Sequence, residues 1–512
     1  MADYVCSFDL GTTGVKSGIL NTKGDLIASA YREYGVISNE KNTVEQSIAD
    51  MWNAQCETSK EVLANSGIKP DNIQAIGISS QRATFAPVDK NYAPLTNFIG
   101  WQDQRSIQQC DEMIKKIGVD KYYKIAGISI DPIAAVSKIL WLKNEQPEIF
   151  EKTSTFASTQ NVHLSMLGAE NPPCDLASAA YLGLLDTDNL CWSLELLKLL
   201  DIPEDKMPSL AQSGKIVGEL SKTAADQLGF TKGTPIVTAG GDLQLAGIGM
   251  GVISPGFVSV VTGTGAGVLI CLDKSLRHPS RSLNCLPHAS SGNWEMEGIS
   301  LAGGGAYKWL RNELGEYETQ IANNTNQDPY DVLSKRAEGA PVGSHGLITL
   351  PMLLGAGSPN WNPEVRGLIL NVNSQVTKPD IIRSCLEGIC LEIKWIVEEA
   401  INSGAEIKEA RLSGGGSKSP LWNQIASDIY GIPAATSVVG DAGLVGAGIC
   451  AAVGVGLFST IKEGAECMVQ ISQRYEPNLK NTEVYREIFE IFKDTYIALD
   501  NNKIYKRISK IA

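Results

Sequence analysis

Short runs of apolar residues near the start of the chain predict three strands, over Tyr4–Leu10, Val15–Asn21 and Leu26–Tyr34. Two segments rich in turn-forming residues separate these runs, Gly11–Gly14 and the polar Thr22–Asp25. The chain is therefore expected to open as a β-meander.

Helical and extended patterns alternate after the meander. Residues Ile48–Asn65 have the apolar spacing of a helix, and the apolar run Ile73–Ser79 is typical of a strand. A further apolar strand is predicted at Thr234–Gly241, and Asp242 follows it directly. Strands that alternate with helices favour an α/β layered fold.

The length of the chain predicts more than one domain. A chain of 512 residues exceeds one ordinary core, and core scaling predicts two domains of roughly 200 to 250 residues. Pro255-Gly256 interrupts the pattern, so the boundary is placed there, between domains 1–252 and 253–512. Two lobes imply a cleft between them.

The second half repeats the opening plan of the first. The predicted strands Phe257–Val261 and Ala266–Leu272 flank the turn Thr262-Gly-Thr-Gly265, as the first two strands flank Gly11–Gly14. Two copies of one turn predict duplicated lobes that face each other, with a nucleotide between them.

The remaining pattern completes the second lobe. We predict a strand over Arg411–Ser413 that enters the turn Gly414–Gly416, and helices over Leu421–Tyr430 and Gly443–Ala452. The charged tail from Glu476 to Ala512 is predicted to be helical and to pack on the outside of this lobe.

Composition and charge narrow the classes of function. The chain is 43% hydrophobic and 20% charged, as expected of a fully folded protein. Its net charge is −13 and it has no long basic run, which argues against a nucleic-acid partner. Because this charge repels nucleotides, a nucleotide site needs backbone amides, a lysine or a cation, and Mg²⁺ is expected.

Cysteine and histidine usage argues against disulfides and metal clusters. The eleven cysteines are scattered without a CxxC pair, and the four histidines lack metal-ligand spacing. No leader-like segment and no apolar run of roughly 20 residues is present. We therefore expect a cytoplasmic protein that is neither secreted nor inserted in a membrane.

The first Gly-Thr turn has the residues of a phosphate site. Gly11 allows a tight reversal whose amides can point at an anion, and Thr12 and Thr13 add hydroxyl donors. Asp9 could hold hydrated Mg²⁺, and Lys16 adds a movable positive charge. A plain polar hairpin turn is the alternative.

Two further glycine turns are weaker candidates for the same nucleotide. Gly263, Thr264 and Gly265 would clamp its phosphates from the second lobe, although such turns also occur without ligands. Gly415 and Gly416 would let a flat base approach the backbone, and the alternative is a loose loop.

Asp242 is the candidate general base. It follows an apolar strand and two glycines, so it is expected at the carboxyl end of the strand, where open α/β sheets bind ligands. A carboxylate there can accept the proton of a hydroxyl during phosphoryl transfer. Capping of the turn is the competing interpretation.

Two polar clusters in the first lobe are candidates for substrate binding. Gln81 and Arg82 form one, and Trp101-Gln-Asp103-Gln-Arg105 forms the other. Sugar sites combine charged or amide donors with an aromatic wall. A surface cluster of salt bridges is the alternative.

In order and spacing, these motifs resemble those of the FGGY carbohydrate kinases, within the actin and Hsp70-like ATPase superfamily. The resemblance covers nearly the whole chain and rests on Phe8–Thr13, Trp101–Arg105, Gly240–Asp242, Gly263–Gly265, Gly303–Arg311 and Leu412–Trp422. It implies two ribonuclease-H-like lobes, that is, an actin-like ATPase fold with ATP and Mg²⁺ in a central cleft.

The resemblance also implies roles for single residues. Asp242 would be the catalytic base and would share the metal with Asp9. The nucleotide would be bound by the residues of the glycine turns, namely Gly11, Thr12, Thr13, Lys16, Gly263, Thr264, Gly265, Gly303, Gly415, Gly416 and Asn423. The acceptor would be bound by Gln81, Arg82, Trp101, Asp103, Asp242 and Leu243.

The acceptor loop departs from the best-known relatives. Glycerol kinases carry Arg-Glu where this chain has Arg82-Ala83, and xylulose kinases typically carry Met-His-Gly there and Asn in place of Leu243. The run Gly241-Asp-Leu-Gln244 is similar to autoinducer-2 kinases. A ketopentose such as xylulose is expected first, with polyols, glycerol and linear hydroxyketones as alternatives.

Two other classes of function agree less well with the sequence. A non-catalytic, nucleotide-dependent regulator could use the same fold, but the presence of both Asp9 and Asp242 argues for a working kinase. An NAD-dependent dehydrogenase is disfavoured because the first glycine turn joins two strands and lacks GxGxxG spacing. A homodimer is left open.

Overall fold

The computed structural model describes residues 3–38 and 42–511 and contains two large mixed sheets. The first has the strand order β5-β6-β4-β1-β2-β3. Its strands are β1 Tyr4–Leu10, β2 Gly14–Asn21, β3 Leu26–Glu33, β4 Ile73–Ser80, β5 Lys215–Glu219 and β6 Pro235–Gly241.

The second sheet is built from the later part of the chain and has the order β9-β10-β8-β7-β11-β12-β13. Its strands are β7 Gly256–Thr262, β8 Ala266–Leu272, β9 Asn284–Pro287, β10 Trp294–Ser300, β11 Ile407–Gly414, β12 Ala434–Ser437 and β13 Ile471–Tyr475.

Shorter strands lie outside the two large sheets. One sheet joins Glu45–Gln46, Phe98–Ile99, Phe85–Val88 and Thr155–Ser158. The others are the pairs Cys174–Asp175 with Leu210–Ala211, Leu185–Asp186 with Cys191–Trp192, and Ile348–Leu350 with Leu368–Leu370.

Helices cover the sheets. They are α1 Ile48–Ser66, α2 Ile107–Ile117, α3 Val119–Ala126, α4 Ala135–Glu145, α5 Pro147–Lys152, α6 Thr159–Leu167, α7 Leu176–Leu182, α8 Leu194–Leu200, α9 Lys222–Leu228, α10 Asp242–Gly249, α11 Gly303–Leu314, α12 Glu316–Thr325, α13 Pro329–Ala337, α14 Lys378–Asn402, α15 Pro420–Tyr430, α16 Ala442–Gly454, α17 Ile461–Met468, α18 Leu479–Asn501 and α19 Ile504–Ile508. Short 3₁₀ turns lie at Pro70–Asn72, Glu204–Lys206, Ser344–Gly346 and Gly415–Lys418.

The two sheets share one plan, which confirms the duplicated turn seen in the sequence. Strands β1 and β2 form an antiparallel hairpin, and β1 also pairs in parallel with β4. Likewise β7 and β8 form a hairpin, and β7 pairs in parallel with β11. Each Gly-Thr turn therefore lies at the same edge of its own sheet.

Helices α10 and α16 cross between the two halves. Helix α10 follows a strand of the first sheet, but Gly247 lies against Leu269 of the second sheet. Helix α16 comes late in the chain, yet its apolar residues Val445 and Ile449 pack with Val5 of the first sheet. Helix α10 of the first half thus packs against the second sheet, and helix α16 of the second half packs against the first sheet.

The connection between α10 and β7 is short. It spans residues 250–255 and contains the boundary drawn at 252/253 from the sequence. The division into domains 1–252 and 253–512 stays a prediction.

The charged tail forms a helix that packs on the second half, as predicted. Phe489, Phe492 and Tyr496 of α18 are buried in the main core of that half. The ring of Tyr496 lies 5.4 Å from that of Trp395 in a T-shaped contact. No helix within residues 3–38 and 42–511 combines the length and apolar character needed to cross a bilayer.

A buried carboxyl group in α14 makes the stability of the protein depend on pH. Glu392 is 1% exposed, and Ser300 Oγ donates a 2.8 Å hydrogen bond to its Oε2. Burial raises the pKa of Glu392 from 4.5 to about 7. The stability that the neutral carboxyl contributes is therefore fully present below pH 4.5 and is lost as the pH rises through 7.

We expect Glu392→Gln to remove this pH dependence. At pH 5 the variant and the wild type should have similar free energies of unfolding. At pH 8 the variant should be more stable than the wild type by about 1–3 kcal/mol, because it has no buried carboxyl to ionise. Thermal unfolding at both pH values checks this, and parallel pH profiles for the two proteins would contradict it.

Candidate active site

A cavity of about 540 Å³ lies between the two sheets and is lined by both halves of the chain. Eleven of the residues singled out in the sequence line it, namely Asp9, Thr12, Lys16, Gln81, Arg82, Trp101, Asp242, Leu243, Gly263, Thr264 and Gly265. Gly11, Thr13, Asp103, Gly303, Gly415, Gly416 and Asn423 are not part of its lining.

The first Gly-Thr turn closes the hairpin between β1 and β2. The amide of Gly11 donates a 3.0 Å hydrogen bond to the carbonyl of Gly14, which tightens the turn. Trp101 Nε1 donates to Thr12 Oγ1 at 3.0 Å, so the turn is fixed to the indole that also lines the cavity. Thr13 is not part of the cavity lining, and its Oγ1 lies 3.4 Å from the hydroxyl of Tyr31.

Asp9 lies at the end of β1, facing the cavity. Ser79 Oγ donates a 2.8 Å hydrogen bond to Asp9 Oδ1. Burial raises the pKa of Asp9, with the Ser79 hydrogen bond and Lys16 acting in the opposite direction. Gly443 of α16 lies so close that a Cβ there would be 3.3 Å from Asp9 Oδ2.

Lys16 is paired with a carboxylate that sequence reasoning missed. Its Nζ forms an ion pair with Asp441, the residue before the first turn of α16. Both residues line the cavity. Asp441 lies far from Lys16 in sequence, and its position before a helix of small residues was the only available signal.

The second Gly-Thr turn is held from behind by the start of α11. Gly263 N donates to Gly265 O at 2.9 Å, and Gly304 N donates to Gly263 O at 2.8 Å. A Cβ at Gly303 would lie 2.4 Å from the carbonyl of Gly265. Gly303 therefore supports the second Gly-Thr turn rather than lining the cavity, and its contact with a nucleotide stays a prediction.

The Gly414–Gly416 segment meets the cavity wall only at its first residue. Gly414 lines the cavity and has a left-handed backbone, with φ of 82°. Asn423 is 3% exposed, and its Nδ2 donates to Ser417 O at 2.8 Å, which fixes the following loop. Contact of Gly415, Gly416 and Asn423 with adenine stays a prediction.

Asp242 is the first residue of α10 and lies at the carboxyl end of β6, as expected. Its side chain remains 43% exposed, towards the cavity that it lines. Its position deep in the cleft nevertheless raises the pKa of Asp242 to about 6 through burial, while Arg82 lowers the pKa and Asp9 raises it. Near neutral pH the carboxylate is thus mostly ionised and able to accept a proton.

Arg82 is held by residues that the sequence did not reveal. Its Nη1 donates to Glu297 Oε2 at 3.2 Å, and its Nη2 pairs with Glu297 Oε1. The guanidinium also lies 4.3 Å above the ring of Tyr181. Arg82 Nε lies 3.8 Å from Asp242 Oδ1 and has no hydrogen-bond partner.

The other acceptor candidates divide into two groups. Gln81 and Leu243 line the cavity beside Trp101. Asp103 is fully buried outside it, where its carboxylate accepts hydrogen bonds from Val44 N at 2.7 Å and Arg105 Nε at 2.8 Å. Asp103 thus supports the loop that carries Trp101, and direct contact with the acceptor stays a prediction.

The carboxylates fit a hydrated Mg²⁺ better than a metal held by protein alone. Within residues 3–38 and 42–511, no cluster of three or more His, Cys, Asp or Glu side chains could hold an ion. Mg²⁺ is commonly bound by one or two carboxylates together with water and phosphate oxygens. Asp9 and Asp242 suit that arrangement, in which the ion would neutralise charge on the phosphates.

Residues of both Gly-Thr turns and the carboxylate of Asp242 line one cavity, an arrangement that suits a nucleotide-dependent kinase. Residues 4–249 match the N-terminal domain of the FGGY family of carbohydrate kinases, and residues 258–455 match its C-terminal domain. The chain belongs to this family, and it is an ATP-dependent carbohydrate kinase.

Known proteins match this chain over nearly its whole length. The gluconokinase of Bacillus licheniformis is 27% identical over 507 residues, which cover 98% of this chain and 97% of that protein. The xylulose kinase of Bacillus subtilis (strain 168) is 26% identical over 494 residues, which cover 96% of each. The structure of ligand-bound xylulose kinase from Lactobacillus acidophilus is 25% identical, with a TM-score of 0.88 and coverage of 97% and 98%. The expected α/β fold with two actin-like ATPase lobes is confirmed.

Proposed function

We propose that the protein transfers the γ-phosphoryl group of ATP to a hydroxyl of a small neutral sugar, and that a ketopentose such as xylulose is its acceptor. The observation that carries the proposal is the position of Asp242, in one cavity with both Gly-Thr turns and with an Arg82 whose charge Glu297 neutralises. Free thiols at all eleven cysteines support action in the cytoplasm.

Asp242 would act as the general base. Its carboxylate accepts the proton of the acceptor hydroxyl while the oxygen attacks the γ-phosphorus, and the bond to the bridging oxygen of ADP breaks. The amides and hydroxyls of the two turns orient the phosphates, and Lys16 lies at the same wall. Asp9 and Asp242 would hold Mg²⁺.

The cavity wall suits a polyhydroxylated chain. Trp101, Ile133 and Tyr181 offer apolar surface to C–H groups. Gln81 Oε1 can accept a hydrogen bond from a hydroxyl, and Arg82 Nε can donate one to a hydroxyl oxygen, since neither atom has a hydrogen-bond partner within the described part of the chain.

The charges of the cavity favour a neutral acceptor. The two cationic side chains in its lining are Lys16 and Arg82, and each is already paired with a carboxylate, Asp441 and Glu297 respectively. An acidic sugar would lose hydration without gaining a free cation. For this reason gluconate, the substrate in the name of one relative, is not our first proposal.

A linear hydroxyketone is the second candidate acceptor. Leu243 replaces the polar residue that xylulose kinases typically carry after the catalytic aspartate, and its side chain lies in the cavity. An apolar contact there tolerates an acceptor with fewer hydroxyls than a pentose.

The proposal is tested by measuring ADP release with a panel of acceptors that includes xylulose, ribulose, xylitol, glycerol, gluconate and a linear dihydroxydione. We expect the highest kcat/KM with a ketopentose and a value for gluconate lower by about tenfold or more. Gluconate as the best acceptor would overturn the proposed substrate class. Absence of any acceptor-dependent release would favour the non-catalytic regulator.

A further inference from the structure

Glu297 reaches across the cleft from the second sheet to a residue of the first lobe. It lies on β10, is 1% exposed, and accepts two hydrogen bonds from the guanidinium of Arg82. The hydroxyl of Tyr181 donates a further bond of 2.9 Å to Glu297 Oε2. The ion pair is thus shielded from water and fixed by a third side chain.

This ion pair sets the net charge of the cavity wall beside Asp242. Arg82 is the cation beside Asp242, and both of its terminal nitrogens are used by Glu297. Only Nε of Arg82 lacks a hydrogen-bond partner. A guanidinium that is neutralised by a buried carboxylate offers hydroxyl recognition without a net positive charge.

We propose that Glu297 is a specificity-determining residue, which selects neutral sugars against sugar acids by pairing with Arg82. This inference rests on the proposed neutral-sugar kinase and assigns its selectivity to one side chain that does not itself line the cavity. Without Glu297, the carboxylate of a sugar acid would become the natural partner of Arg82.

A neighbouring glutamate provides a matched control. Glu295 lies two residues away on the same strand and is also fully buried, but it accepts a hydrogen bond from Gln244 instead of Arg82. Burial raises the pKa of Glu295 well above its ordinary value. Because Glu295 pairs with Gln244, Glu295→Gln leaves the ion pair of Arg82 intact, whereas Glu297→Gln removes the carboxylate of that pair.

The test compares gluconate with xylulose in wild type, Glu297→Gln and Glu295→Gln. Calorimetry with a non-hydrolysable ATP analogue measures binding of each sugar, and ADP release measures kcat/KM. We expect Glu297→Gln to raise the gluconate-to-xylulose ratio, both of kcat/KM and of binding affinity, about tenfold or more. The ratio should stay within about twofold in Glu295→Gln, and the gain should disappear in the Arg82→Met, Glu297→Gln double variant.

Equal loss of both sugars in Glu297→Gln, or an unchanged ratio, would overturn the inference, because a purely structural role predicts that result. If this variant does not fold, Tyr181→Phe is measured instead, and it should raise the ratio about two- to fivefold by loosening Glu297. A wild type without acceptor-dependent ADP release would defeat the proposed function, while the binding ratios would still decide the role of Glu297.

Discussion

Replacing Asp242 with Asn is expected to lower kcat by about 10²- to 10⁴-fold, the usual contribution of a general base. Asn has nearly the same shape but cannot accept the proton of the acceptor hydroxyl. Binding of an ATP analogue should change far less than kcat, because both Gly-Thr turns and the second metal candidate, Asp9, are left intact. Steady-state ADP release with the best acceptor, together with calorimetry of the analogue, separates these two effects.

Asp441→Asn is the matched control for this prediction. Asp441 also lines the cavity, but it pairs with Lys16 and lies at the start of α16. Its replacement should raise the KM for ATP and lower kcat by less than about tenfold. If Asp242→Asn retained more than about a tenth of the wild-type kcat, or if both variants lost turnover equally, Asp242 would not be the base.

Local signals in the sequence were sufficient to predict the strands that carry the site. Strands β1 and β8 have the predicted bounds, Tyr4–Leu10 and Ala266–Leu272, and β2 begins one residue before its predicted start. These segments combine an uninterrupted apolar run with a glycine turn, so the local pattern is unambiguous. Strand β11 extends over Ile407–Gly414, and the prediction of Arg411–Ser413 is too short because Lys408 and Glu409 interrupt the apolar pattern.

The partners of the predicted site residues could not be inferred in the same way. Glu297 lies 215 residues from Arg82. Its alternation with apolar residues in β10 is also typical of a strand with one face in water, whereas both Glu295 and Glu297 are buried. Contacts of this kind depend on how the two lobes meet, which a local pattern does not record.

Asp103 is a predicted acceptor residue that lies outside the cavity. The sequence placed it with Trp101 in a polar cluster for the acceptor, but its carboxylate is fully used by a backbone amide and by Arg105. A motif thus identified the correct loop, while the division of its residues between supporting the loop and facing the cavity required the structure.

The crossing of α10 and α16 was also beyond sequence reasoning, which predicted a helix over Gly443–Ala452 but not what it packs against. Gly446 is in such close contact with α10 that a Cβ there would lie 2.0 Å from the carbonyl oxygen of Leu245. Leu245 is three residues after Asp242 on the same helix. The absence of a side chain at Gly446 therefore sets the position of the helix that begins with the base.

We expect Gly446→Ala to impair both folding stability and catalysis. The added methyl group must push the two helices apart, at a cost of about 1–3 kcal/mol, which exceeds the gain of about 1 kcal/mol from better helix propensity. A shift of Asp242 by about 1 Å can lower kcat by about 10²-fold. Gly448→Ala is the matched control, since its Cβ would meet side-chain atoms and no backbone, at 3.0 Å from the flexible end of Leu20 and 3.5 Å from Val5 Cγ2. Thermal unfolding and kcat of both variants test this, and equal behaviour of the two would show that the helix crossing does not position the base.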